Sequence, residues 1–481
     1  MKKIVFTLAA GIIFAWQGLG LAATTGVDSL IQKLEDKGIL TNEEAAQIKG
    51  EIVSDQKSSQ EATFKSMIPD WVNGLKISGD FRFRDQLQVR KVPGGLSGQS
   101  GDNFDQNRAR IRARVNFEDQ INDKVKVVIG LATDGGTARS NNYTLGGNKA
   151  GGTAIVGQDA FGKPAPVLNK AYAVYTPNDM ITVMGGKLDN PVWEPAGSSF
   201  LWDPDITPEG GSIQLQKKLN DYITPWVSGD VFVLHDLTPS NNTSTSTKTD
   251  PYMIVSQGGI KGNLTEQVYY KAGVTWYDIG NPNRITFGEG LGTNSIIAGS
   301  SYALSHLMYN FNDVIVEGAD IGINDPFGEL LPSPINIAQV GVFGDFAENN
   351  SNNSLNATVT AKNTQNKAWE MGGYMGNSAI NGWGTWKLQS CYKVLERDSW
   401  LDALPDDDFY SGYTDTKGWR TQMDIGLAKN VWFTMTYFRT SPFKYISSIP
   451  GLTLVSSSNN SAAFSKDAPE NLFQMDLNFK F

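Results

Sequence analysis

Leu75-Lys-Ile-Ser-Gly-Asp-Phe-Arg-Phe-Arg84 and Ala109-Arg-Ile-Arg-Ala-Arg-Val-Asn-Phe117 carry apolar or small residues at odd positions and polar residues at even ones. An extended chain points successive side chains to opposite faces, so each stretch reads as a strand with one apolar face. Similar but less regular runs recur at 124–132, 167–176, 180–188, 211–219, 222–234, 251–261, 267–278, 311–323, 335–347, 367–376, 382–394, 416–428, 430–440 and 471–481. Period two alone does not tell which face is buried, because a soluble β-sandwich shows it too.

The connections supply the discrimination. Asp119–Asp123, Thr176–Asp179, Leu219–Asp221, Gly262–Thr265 and Ala428–Asn430 are short turns. Between them lie long polar connections at 91–106, 133–166, 189–210, 235–250, 279–300, 348–366, 395–415 and 441–469. Short on one side and long on the other is the layout of an all-β, antiparallel transmembrane barrel. Ser300–Asn310 also looks strand-like, and counting it would give an odd number. An even count returns both ends to the same side, so this stretch is assigned to a loop or to the upper end of strand 311–323. Sixteen strands are expected, with eighteen as the alternative.

Composition agrees with a barrel. Glycine is abundant, at 50 residues, and charged residues make up only 19%, against ~25% in a typical globular domain. Only Cys391 is available, so no intramolecular disulfide can form. Downstream of the N-terminus no run approaches the ~18 apolar residues of a spanning helix. The formal net charge of −9 argues against a nucleic-acid partner.

Met1-Lys-Lys3, the apolar run Ile4–Trp16 and the small residues to Ala23 have the order of a secretory signal peptide, expected over residues 1–23. Residues 24–70 hold the only good helical text. Val27, Leu30, Ile31 and Leu34 fall at helical spacing, and Thr41-Asn-Glu-Glu44 forms a capping box before Ala45, Ile48 and Ile52. Two short periplasmic helices are expected there, either a spacer or an aid to self-association. The barrel is expected over 71–481.

Asp36-Lys-Gly38, Thr41-Asn-Glu-Glu-Ala45, the 75–84 strand, Asn107-Arg-Ala-Arg-Ile-Arg-Ala-Arg114, Leu201-Trp-Asp-Pro-Asp-Ile-Thr-Pro-Glu-Gly210, Val342-Phe-Gly-Asp-Phe346 and Gln474-Met-Asp-Leu-Asn-Phe-Lys-Phe481 together resemble a family of proteobacterial outer-membrane proteins known as putative porins. The resemblance spans the region after the signal, and the Arg-rich second strand and the Trp-Asp-x-Asp loop are its most specific parts. It implies a bacterial outer-membrane location and a water-filled pore for small hydrophilic solutes or ions. The competing reading is a non-conducting barrel serving as an adhesion or structural scaffold. Phe473, Met475, Leu477, Phe479 and Phe481 share one face of the last strand and look like the signal read by the outer-membrane assembly machinery. Expected partners are outer-membrane lipid, that machinery, small solutes and, as porins commonly trimerise, a homotrimer.

Catalysis is not expected. His235 and His306 are the only imidazoles, and no motif brings either to a nucleophile and an acid. No metal or cofactor is expected either. Asp406, Asp407 and Asp408 read as solvated loop carboxylates, and neither they nor Asp203, Asp205 and Glu209 have the spacing of a calcium loop. Most of Trp383, Trp386, Trp400, Trp419 and Trp432 are expected in the aromatic girdles. Trp193 and Trp202 lie inside a long connection and are expected to anchor it to the wall, or less simply to touch solutes.

Arg108, Arg110, Arg112 and Arg114 alternate and therefore share a face, in phase with Arg82 and Arg84 on the preceding strand and Lys124 and Lys126 on the next. Facing lipid, each charge would cost roughly 2–4 kcal/mol at the midplane, so this basic wall is expected to line the lumen. If connection 189–210 folds inward, Glu194, Asp203, Asp205 and Glu209, with Trp193 and Trp202, would oppose it across a constriction. The plainer alternative locks the arginines in structural ion pairs.

Overall fold

In the computed structural model the residues described are 47, 74–91, 103–147, 161, 163–236, 250–282, 285, 294, 307, 309–328, 337–351, 362–444 and 468–481. The expected signal peptide, all of the 24–70 segment except Gln47, and His306 lie outside them. Seventeen strands follow one another: β1 (Leu75–Lys91), β2 (Asn103–Asn122), β3 (Val125–Ala132), β4 (Tyr143–Thr144), β5 (Val167–Asn178), β6 (Ile181–Lys187), β7 (Glu209–Gln216), β8 (Thr224–Val233), β9 (Tyr252–Asn263), β10 (Val268–Gly280), β11 (Phe311–Asn324), β12 (Gln339–Asn349), β13 (Lys367–Gly376), β14 (Trp386–Leu395), β15 (Thr416–Ala428), β16 (Val431–Pro442) and β17 (Glu470–Lys480).

Sixteen of these make a closed antiparallel barrel, and β4 is a two-residue strand added inside the connection after β3, where it pairs with Arg110 and Ile111 of β2. Every wall strand pairs with its chain neighbours. The ring closes where β1 meets β17, in register from Asp80↔Lys480 to Arg90↔Glu470. Closure leaves no unpaired edge, as a hydrocarbon environment requires. The sixteen expected strands thus correspond one for one to the wall, and no strand is formed by the described residues of 300–310.

The two faces separate as the alternation dictates. On β1, Ile77, Phe81, Phe83 and Leu87 are exposed on the outside, whereas Arg84, Gln86 and Gln88 are buried on the inside. This is the reverse of a soluble protein, and lipid is the solvent it suits. Short turns gather at one end, for example Lys429-Asn430, where Asn430 takes a left-handed φ of 61°. The long connections gather at the other, hereafter the loop end.

A hydrophobic core lies within the barrel, toward the loop end. Phe232, Met253, Val255, Tyr277, Ile279, Val314 and Val316 point inward from β8–β11 and pack on Phe200, Leu201 and Trp202 of connection 188–208 and on Trp400, Leu401 and Leu404 of connection 396–415. Trp400 is fully buried, its ring 4.7 Å from that of Tyr277 and 6.2 Å from that of Trp202, and its indole N–H donates to the carbonyl of Leu201 at 2.8 Å. Trp400 therefore belongs to this inner core and not to a girdle. Trp432 lines the lumen at the turn end, while Trp419 is exposed on the outer face.

Candidate functional site

Connection 188–208 enters the barrel and is pinned along the inner wall. The Gln257 side chain on β9 clamps it in both directions, accepting the Trp193 backbone N–H at 3.0 Å and donating to the Trp193 carbonyl at 2.8 Å. The Trp193 ring packs edge-on against Trp226, 5.7 Å away, and the Lys271 ammonium sits 4.3 Å over it. Further on, Ser198 and Ser199 reach β14 and β15, where Lys393 donates to the Ser199 carbonyl at 2.6 Å. Both tryptophans of the connection thus serve as anchors.

The chain next crosses toward β2. Asp205 Oδ1 receives Nη1 of Arg112 and Nη1 of Arg114, each at 3.4 Å, and Oδ2 accepts the backbone N–H of Asn141 at 3.2 Å. Asp80 on β1 holds the other edge of both guanidinium groups, at 3.0 Å for Arg112 and 2.8 Å for Arg114. Burial opposes ionisation of Asp205, but Arg112 and Arg114 outweigh it and keep its carboxyl below the usual range.

Connection 396–415 supplies the other acids. Asp408 bonds Arg84 at 2.8 Å, and Arg84 makes a bidentate pair with Asp476 of β17 at 2.8 and 2.9 Å. Burial works against the Asp408 charge, yet Arg84 and Arg110 hold its carboxyl far below the ordinary value. Asp407 lies beyond this pairing. Burial, reinforced by Asp408 and Asp406, pushes it up to about 8. Asp203 is raised for the same reason, first by burial and then by Asp407, Asp406 and Asp205. Carboxylate oxygens of Asp203, Asp406 and Asp407 lie within 4.8 Å of one another, a hard-oxygen grouping of the kind a divalent cation would accept. Asp406 is thus buried, Asp407 and Asp408 are half-buried and Asp408 pairs with Arg84, contrary to the solvated loop expected of the run.

Arg139, from connection 133–166, ties the layers together. Its Nη1 donates to the carbonyls of Asp402, Pro405 and Gly412 at 3.1, 3.3 and 3.1 Å. Gly412 has φ +72°, a conformation that favours glycine, and a Cβ there would stand 2.1 Å from that nitrogen and displace the guanidinium.

The other expected residues fall as follows. Arg82 donates to Asn142 Oδ1 and lies 3.7 Å from Asp476. Arg108 meets only Gln88, at 3.4 Å, and Arg110 meets Gln86, Ser140 and the Asn142 carbonyl, so neither has an ion pair among the described residues. Lys126 faces inward and pairs with Glu118 at 2.8 Å near the turn end. Lys124 occupies the β2–β3 turn, exposed, and does not join the wall as expected. Glu209 begins β7 and pairs with Lys187 at 2.7 Å, well exposed, and is therefore not opposite the arginines. Glu194 is absorbed by its own loop, accepting the backbone N–H groups of Phe200 and Leu201, and burial pushes it up to about 7. Phe473, Met475, Leu477 and Phe479 share the outer face of β17, with Phe81 against Phe479 at 5.9 Å, and Phe481 follows the strand with its ring over Gly79.

Below the crossing loops a cavity of about 620 Å³ runs toward the turn end, lined by Arg82, Arg84, Arg112 and Arg420 and by Asp203, Asp407 and Asp476 among others. Arg420 and Asp476 were not singled out from sequence. Asp476 had a usable signal, because pairing the last strand with the first sets it opposite Arg84.

A family model described as "Putative porin" matches residues 96–285 and 334–481. No curated protein matches the sequence. Among solved structures, two substituted forms of the Rhodopseudomonas blastica porin are similar at 12% and 11% identity. Each alignment covers 85% of this chain and 100% of that chain, with TM-scores of 0.37 and 0.36.

Proposed function

The chain belongs to the Putative porin family, and on that premise we propose that it is a passive diffusion channel for small hydrophilic solutes or ions. The barrel and the family together give a bacterial outer-membrane location. The observation that carries the channel reading is the charged 620 Å³ cavity inside the wall, lined by arginines of β1, β2 and β15 and by aspartates of the infolded connections and of β15 and β17. Opposed charges across a constriction make a transverse field that orients polar solutes and sets ion preference. Several of the arginines lining the cavity are held in ion pairs, but Arg420 has none among the described residues, and Asp203 and Asp407 are disposed to hold protons. The arginine side therefore outweighs the acidic side at neutral pH.

In this reading the turns face the periplasm and the long connections face outward, residues 24–70 stay periplasmic, and the last strand is the assembly signal. Transport needs neither catalysis nor cofactor. A trimer agrees with this reading, and deletion of 27–65 tests whether the N-terminal segment supports it: loss of the crosslinked oligomer is expected. Purified protein in a planar bilayer tests the channel itself. Stepwise conductance is expected, and its absence from a barrel shown to be folded by heat-modifiable gel mobility favours the scaffold alternative.

A further inference from the structure

Outward-facing cations at the loop end of the wall mostly have an acid beside them. Lys187 on β6 meets Glu209 on β7 at 2.7 Å, and Lys367 on β13 meets Glu348 on β12 at 3.5 Å. Lys91 on β1 has Asp105 diagonal to it on β2. The sector of β15 and β16 is the exception. Arg439, in phase with the outward Tyr437, is exposed, and its guanidinium donates to the neutral Asn471 side chain at 2.6 Å. Lys417, in phase with the outward Trp419, holds its ammonium 5.5 Å from the centre of the Phe443 ring. Neither cation has an ion pair among the described residues. The acids of this sector are engaged elsewhere, Glu396 with Lys444 and the buried Asp415 with Arg397. Asp85, an outward acid of β1, stands opposite Met475, four residues farther from the loop end than Asn471.

We infer that Arg439 and Lys417 form a site on the outer face for the phosphorylated headgroup of an outer-leaflet lipid. Arg439 pairs with Trp419, which makes Lys417 its diagonal neighbour, about 7–8 Å away at the backbone. Trp419 and Tyr437, both exposed, set the level, because aromatic residues on the outer wall mark the membrane interface where headgroups lie. A guanidinium offers a planar fork that matches two phosphate oxygens, and the ammonium adds a second point charge. The surface beneath suits acyl chains. Met423, Met435 and Met475 stand in register on β15, β16 and β17, four residues farther from the loop end than Trp419, Arg439 and Asn471. Unbranched thioether side chains adapt to an irregular apolar partner. The site rests on the proposed orientation, with the loop end outward, and not on conduction.

Native mass spectrometry of the detergent-purified full chain tests the site, with diphosphoryl lipid A as the probe and its dephosphorylated form as the control. The wild-type barrel is expected to retain the phosphorylated lipid and not the control. Arg439→Gln or Lys417→Gln should weaken that binding about five-fold, and the two together roughly thirty-fold. Lys187→Gln, which removes an outward cation already matched by Glu209, should leave it unchanged. Heat-modifiable gel mobility shows that each variant is a folded barrel. Undiminished binding by the folded double variant overturns the site. So does equal retention of the dephosphorylated lipid, which would leave apolar contact alone. Displacement of the lipid by millimolar inorganic phosphate overturns the lipid assignment in favour of a free-anion site. The readout is independent of current through the barrel: a protein that binds the lipid and does not conduct keeps this site and loses the channel reading.

Discussion

The two halves of the lumen are built from the same alternating wall but filled differently. Across β8–β11 the inward residues near the loop end are apolar and close on Phe200, Trp202 and Trp400 of the infolded connections. Across β1, β2 and β15–β17 they are mostly charged or polar, with Phe438 and Leu472 closing on Phe409 as the exception, and many border open space. One half fixes the connections by burial, at about 25 cal/mol for each Å² of apolar surface removed from water. The other uses that rigidity to hold carboxylates against arginines. Stability and permeation are thereby assigned to opposite sides of one barrel.

The largest effect should come from the apolar side. Trp400→Ala removes a fully buried indole and its bond to Leu201, and should cost roughly 3–5 kcal/mol, read as a lower urea midpoint for unfolding in detergent. A full-length loss of stability with little loss of conductance keeps the two halves distinct. A midpoint that does not move dissolves the comparison.

On the charged side, Arg110→Gln with Arg112→Gln should shift the reversal potential in a potassium chloride gradient toward cation preference. The acids Asp80 and Asp205 then keep only Arg114 from that row. An unchanged potential in a folded barrel would show the arginines to be structural only. A weaker shift of the same sign is expected from pH. Asp407, pushed up to about 8, is mainly protonated below that value and ionised above it, so raising the pH from 6 to 9 adds negative charge and moves the preference toward cations. Asp407→Asn should remove much of that pH dependence. Glu209→Gln marks the small end of the scale. Its exposed pair with Lys187 is worth about 0–1 kcal/mol, and it lies away from the constriction, so neither stability nor selectivity should change measurably.

The wall was legible because lipid and lumen impose period two on each strand, and the phase of Arg82, Arg84 and Arg108–Arg114 followed from it. The filling was less legible, because it depends on contacts between distant connections such as Asp203 with Asp407. A local trace of it existed. Val231-Phe-Val233, Met253-Ile-Val255 and Val314-Ile-Val316 are apolar at every position, the pattern of strands buried on both faces. One face of these meets lipid and the other the inner core. Lys124 was misplaced because phase alone does not show that it lies in a turn, and Glu209 because it begins β7, in phase with the outward Ile213 and Leu215, and is not part of the infolded connection. Asp406–Asp408 gave no sign of burial, since three adjacent carboxylates ordinarily stay in water unless partners such as Arg84 come to them.

The seam between β1 and β17 has a consequence in time. Asp80 cannot find Lys480 until the end of the chain exists, so the first strand waits for the last with one edge open. Pairing between such remote segments is slow to form, and open edges invite the wrong partner. A chain cut short before Glu470 would leave one edge of β1 and one edge of β16 unpaired, and such a product should be an aggregate or a substrate for proteolysis, never a smaller barrel.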